Sequence, residues 1–82
     1  MLDANGRLIR LGDRVIIGRG IYGIIVFSID TDEFSPEFSK NDWAYLGRGI
    51  GIQTDAHGLF HYEESDEDLE VISVTSNSDT TE

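Results

Sequence analysis

The amino-acid sequence predicts an all-β fold, a small closed or half-closed barrel of five short strands. Three observations predict its all-β, barrel character. Apolar and β-branched residues come in short runs or alternate with polar ones, and nowhere hold a helical spacing for long. Nine glycines and several Asp/Asn turn residues punctuate those runs. A five-stranded open sheet would present two bare edges, and curling it into a closed or half-closed barrel removes them. With 82 residues and 39% hydrophobic content, one core is all the chain sustains. Residues 1–75 are therefore read as one domain, and the Ser/Thr/Asn/Asp-rich residues 76–82 as a flexible polar tail.

Leu8, Ile9 and Leu11 form an arriving segment, Gly12-Asp13 a tight turn, and Val15-Ile16-Ile17 the first strand. The densest apolar run, from Ile21 through Ile24-Ile25-Val26-Phe27 to Ile29, is the central strand. Residues 30–48 are acidic and irregular and read as an insertion between the second and third strands. Within it, Ser35-Pro36-Glu37 has the order of an N-cap, a first-turn proline and an early acid, so one short helical turn is expected to begin there, with any helix ending by about Leu46. Gly49 to Thr54 and Leu59 to Tyr62 alternate with period two and make a hairpin around Asp55-Ala56-His57-Gly58, with Gly58 at a position that needs a positive φ. Leu69, Val71, Ile72 and Val74 supply the last strand. Alternation within the strands gives an expected core of Val15, Ile17, Ile24, Val26, Ile50, Ile52, Leu59, Leu69 and Ile72.

The order Gly12-Asp13-Arg14-Val15, Gly18-Arg19-Gly20, Gly23-Ile24-Ile25-Val26 resembles the KOW-type opening of SH3-like barrels, where a Gly-Asp turn starts one strand and a later glycine starts the next. Asp66-Glu67-Asp68-Leu69-Glu70-Val71-Ile72 is similar to the short 3-10 turn and closing strand that end many such barrels. The resemblance implies the barrel. It also implies, as one reading, a KOW-like nucleic-acid or ribonucleoprotein binder acting through Arg7, Arg10, Arg14 and Arg19. Only Arg19 stands in the loop where KOW domains that bind RNA carry several basic residues.

Composition narrows the function. Sixteen acidic residues against six basic ones give a net charge of −10 and make direct nucleic-acid binding unlikely. The charge is uneven: residues 1–29 carry +2 and the remainder −12. There is no cysteine, which excludes disulfides, thiolate metal sites and cysteine nucleophiles. No apolar run reaches the roughly 20 residues of a membrane span, so no membrane is involved and a cytoplasmic location is expected. Gly18-Arg19-Gly20-Ile21-Tyr22-Gly23 satisfies a dinucleotide-binding pattern but leads into strand residues instead of a helix, so no cofactor is expected. His57 and His61, with Asp55, Glu63 and Glu64 nearby, are the only residues of metal-ligand type that cluster. A small metal-binding or catalytic domain built on the two histidines is a third reading. No serine, lysine or carboxyl pair stands in a context that would activate it, and the expectation is a protein that is not an enzyme.

The steepest feature is Glu63-Glu64-Ser65-Asp66-Glu67-Asp68-Leu69-Glu70, six carboxylates in eight positions with no cation. One reading is a solvated loop. The leading reading is a docking face for a basic surface of a partner protein, formed by Glu63, Glu64, Asp66, Glu67, Asp68 and Glu70, with Asp30, Asp32, Glu33, Glu37 and Asp42 adjoining and Trp43 and Tyr22 as aromatic anchors. Its sharper form is a nucleic-acid mimic that inhibits a nucleic-acid-binding complex, in the manner of anti-CRISPR proteins, which resemble this chain in size and charge.

Overall fold

The computed structural model describes residues 1–73. Val74, Thr75 and the polar tail lie outside the described residues. The chain runs β1 Arg14–Ile17, β2 Ile21–Ser28, β3 Glu33–Phe34, α1 Lys40–Trp43, a 3-10 helix Ala44–Leu46, β4 Ile50–Thr54, β5 Leu59–Tyr62 and β6 Leu69–Ser73. Every ladder is antiparallel, in the order β5-β4-β2-β1-β6, with β3 paired to β2 beside that path. The all-β class is as the sequence predicts. The five-stranded barrel is not: among the described residues there are six strands, and the sheet they form does not close on itself.

Both departures have local causes. β2 is eight residues long and β1 only four, so β1 covers Ile21 to Ile24 and leaves the far half of β2 unpaired on that side. Gly12 and Asp13 bond the backbone of Ile25, and then Phe34 and Glu33 pair with Phe27 and Ser28 as the extra strand. Closure would require β5 and β6 to meet. The residues between them, Glu63 to Asp68, instead form bends and one turn closed by the Leu69 N–H on the Asp66 carbonyl (3.0 Å). That single turn stands where a 3-10 segment was expected before the last strand; the 3-10 helix lies in the insertion. The helix of the insertion also starts later than Ser35. Ser35 to Phe38 is a closed turn (Phe38 N–H to Ser35 O, 3.0 Å), and Ser39 caps α1.

The core lies on one face of the curved sheet: Ile9, Val15, Ile17, Ile25, Ile50, Ile52, Leu69 and Val71, rimmed by Met1, Ile21, Phe60 and Tyr62. Ile24 and Ile72 are instead 39% and 45% exposed, and Val26 and Leu59 are half-buried. In a run of four apolar residues alternation cannot choose a face. The choice falls to Gly23, whose missing Cβ would lie 2.6 Å from Ile52 Cγ2; Gly23 and Ile25 therefore point inward and Ile24 outward. Gly58 has the expected positive φ, +79°.

A second cluster occupies the opposite face. Against β4 the register shifts between Ile25 and Phe27, a β-bulge at Val26 that turns Phe27 to the outer side, over Gly51. Phe27 is fully buried there among Trp43 (ring centroids 5.3 Å apart, stacked), Phe34 (6.2 Å), Phe38 (6.2 Å) and His61 (6.4 Å). This aromatic layer holds the insertion on the sheet.

Candidate docking face

The acidic loop joins β5 to β6, the two ends of the strand order, so it crosses the seam where a barrel would close. Its last turn is fixed to the body. Gly18 N–H donates to the Asp68 carbonyl (2.8 Å) as an extension of the β1–β6 ladder, and Asp68 N–H donates to Asp66 Oδ1 (2.8 Å). Glu63, Glu64, Asp66, Glu67, Asp68 and Glu70 are all exposed. Glu64 pairs with Arg48 (2.9 Å), and Glu70 accepts from Asn5 Nδ2 (2.9 Å). Glu63, Asp66, Glu67 and Asp68 have no cation within 4 Å among the described residues. The loop also leans on its neighbour: burial, with the negative charges of Asp66 and Asp68, raises the pKa of the Tyr62 phenol.

The anchors behave differently. Tyr22 is 44% exposed and shares an outer-face row with Ile16 and Glu70, its register partners across β1 and β6. Trp43 belongs to the aromatic layer and leaves only part of its ring to solvent. Tyr45, in the 3-10 helix, is at 77% the most exposed large apolar residue among the described residues. Nothing in its sequence neighbourhood set it apart from the other aromatics of the insertion.

The acids of the insertion are mostly occupied by the protein itself. Asp30 accepts from Gly49 N–H (3.0 Å), and Asp32 pairs with Lys40 (2.9 Å). Glu33 grips Arg10 through two bonds (2.7 and 3.0 Å) and accepts from Leu11 N–H and Thr31 Oγ1, so it ties β3 to the N-terminal arm. Of the four N-terminal arginines, Arg10 is held by Glu33, while Arg7, Arg14 and Arg19 make no ion pair among the described residues. His61 lies on the outer face with Nε2 3.0 Å from the Arg48 carbonyl, while His57 sits exposed in the β4–β5 turn. No three His, Asp or Glu side chains among the described residues converge as a metal site would need.

Two carboxylates that sequence reading left unremarked, or placed on the docking face, act as structural hubs. Buried Asp3 accepts N–H bonds from Asn5, Arg7 and Val71, fixing the N-terminal turn to β6. Its burial alone would raise its pKa, but the three backbone donors prevail and lower it. The Arg10 fork is the main cause that brings Glu33 down to about 2. Both groups stabilise the fold when ionised. That stability is complete above the unfolded carboxylate range and is lost as pH falls through their folded values. Asp13 works in the opposite sense: burial raises its pKa, so its share is lost as pH rises through its folded value. The urea midpoint is accordingly expected to fall between pH 5 and 2, and the Glu33→Gln variant to show a lower midpoint at pH 7 with a shallower acid slope. Parallel curves for the variant and the parent would remove Glu33 from this role.

No protein-family model matches the chain, and no curated protein or solved structure matches it significantly. No helix among the described residues is long and apolar enough to cross a membrane.

Proposed function

We propose that the protein is a non-enzymatic binding module that docks the acidic loop between β5 and β6 onto a basic surface of a partner protein. The observation that carries this reading is a loop anchored by its backbone whose carboxylates Glu63, Asp66, Glu67 and Asp68 are exposed and face no cation among the described residues. Structural acids of this protein look different: Asp3 and Glu33 are each held by three or more donor bonds. Tyr22, in the row that ends at Glu70, is the aromatic best placed to fix the complex once charge has steered it. An open, SH3-like strand arrangement is the reading that the KOW-like opening supports, and a last strand that returns to pair with the first is compatible with it.

Other readings have less support. The arginine-based one loses Arg10 to Glu33 and would rest on Arg7, Arg14 and Arg19, and the histidine-based one finds no third ligand among the described residues. The test is the quadruple variant Glu63→Gln, Asp66→Asn, Glu67→Gln, Asp68→Asn, which relieves like-charge repulsion and is expected to be at least as stable as the parent. A partner captured from the native host in 0.1 M salt is expected to be lost from the variant, and from the parent in 1 M salt, where the Debye length shrinks from about 10 to about 3 Å. Retained capture by the variant with unchanged salt dependence would make the loop a solvated surface. Displacement of the partner by duplex DNA or RNA would identify the docking as nucleic-acid mimicry.

A further inference from the structure

The two ends of the sheet are finished differently. In β6 the N-terminal arm takes up outward backbone groups: Val71 N–H donates to Asp3 Oδ2 (2.8 Å), and the Leu69 carbonyl accepts from Ala4 N–H (2.9 Å). The N-terminal arm thus closes that edge. In β5 the Thr54 N–H to Gly58 O bond (2.9 Å) sets the phase of the hairpin, and antiparallel alternation then turns the backbone of Phe60 and Tyr62 toward β4. The N–H and C=O groups of Leu59 and His61 point away from the sheet and have no backbone partner among the described residues. Half-buried Phe60 and Tyr62 rim the core along this same edge, leaving apolar surface beside a bare row of donors and acceptors.

Charge decides the occupant. Glu63 and Glu64 follow at the end of the strand, and the loop to β6 continues with Asp66, Glu67 and Asp68. A second copy brings the same carboxylates and a net charge of −10 to the contact, so edge-to-edge pairing of two chains is opposed. An extended cationic segment is favoured by both features at once. Its backbone completes the ladder, its apolar side chains cover Phe60 and Tyr62, and its Lys or Arg side chains meet Glu63 and the loop.

We propose that the outer edge of β5 is a strand-addition site that takes an extended basic segment of the partner, with alternating apolar and Lys/Arg residues, as a further strand of the sheet. This rests on the docking reading above and gives it a binding mode. The probe is the synthetic octapeptide (Lys-Val)₄, added to the full-length protein in 0.1 M salt and followed by amide hydrogen exchange. Exchange at Leu59 and His61 is expected to slow at least about tenfold on saturation, while a fully N-methylated peptide of the same charge binds at least about tenfold more weakly. His61→Pro removes an outward donor that the sheet does not use, and is expected to lose peptide binding with the fold retained. If that variant does not fold, the N-methylated peptide decides alone.

Binding of both peptides alike without protection of Leu59 and His61 would overturn strand addition and leave charge-driven docking standing. Binding of neither would overturn both readings. Protection of those amides in the free protein, whether constant or rising with protein concentration, would show the edge already filled by the chain itself or by a second copy, and the proposal would fall.

Discussion

Ile25→Asp is expected to abolish cooperative folding, while Ile24→Asp leaves the protein folded. The two positions are adjacent and carry the same side chain, so composition and strand propensity are the same for both. Their environments are opposite. Ile25 is 1% exposed in the core and pairs with Ile52, itself fully buried, so a carboxylate there has neither water nor a cation. Leaving such a charge unpaired costs several kcal/mol, against the 5 to 15 kcal/mol typical of a whole domain. Ile24 is 39% exposed and stands opposite Arg14 on β1 and Gln53 on β4, so an aspartate there keeps its hydration and gains a cationic neighbour. Its cost is about 1 kcal/mol of strand propensity. Far-UV circular dichroism with urea titration separates the outcomes. A cooperative transition for Ile25→Asp, or its absence for Ile24→Asp, would mean that the sheet presents its other face to the core.

That pair also marks the limit of what the sequence discloses about this fold. The five longer strands were legible because each is bounded by turn residues and carries β-branched or alternating side chains, and Gly58 was legible because a tight hairpin needs its φ. The face of β2 was not, since Ile24-Ile25-Val26-Phe27 is apolar throughout and the bulge at Val26 shifts the phase halfway along. Ile9 reads as part of an arriving segment, yet it is fully buried, placed by an arm whose anchor is the bond between Asp3 and Val71, 68 positions apart. β3, at two residues, is too short for any periodicity and exists only because β2 outruns β1. On the candidate site the contrast is similar. The exposure of the acidic loop follows from its composition. The bare edge of β5 depends on where the N-terminal arm goes and is written in no local motif. Glu33 reads as one more surface acid until Arg10, 23 positions away, comes beside it.

The largest effect from the smallest change is expected at Gly51→Ala. Because Ile50 and Ile52 both face the core, Gly51 faces outward, and the Phe27 ring lies against it so closely that an added Cβ would meet Phe27 Cε2 at 2.2 Å and Cζ at 2.5 Å. The ring is held by Trp43 and by Phe34 and Phe38, and Phe27 has no exposed surface to move into. The methyl group must therefore lift the whole aromatic layer, at a cost of about 1–3 kcal/mol typical of overpacking. For a domain of this size that lowers the melting temperature by roughly 4–24 °C. The disturbance falls on the insertion, and Trp43 is the only tryptophan, so its emission is expected to shift to the red as the ring gains water. Phe27→Leu in the same chain shortens the side chain that the methyl strikes and is expected to recover part of the loss, whereas two independent sites would add their costs. The β5 edge and the acidic loop are built from other contacts, so binding of the cationic octapeptide is expected to persist at temperatures where the variant is folded. Unchanged Trp43 emission with an unchanged melting temperature would place Phe27 elsewhere than over Gly51, and with it the aromatic layer that seats residues 30–48.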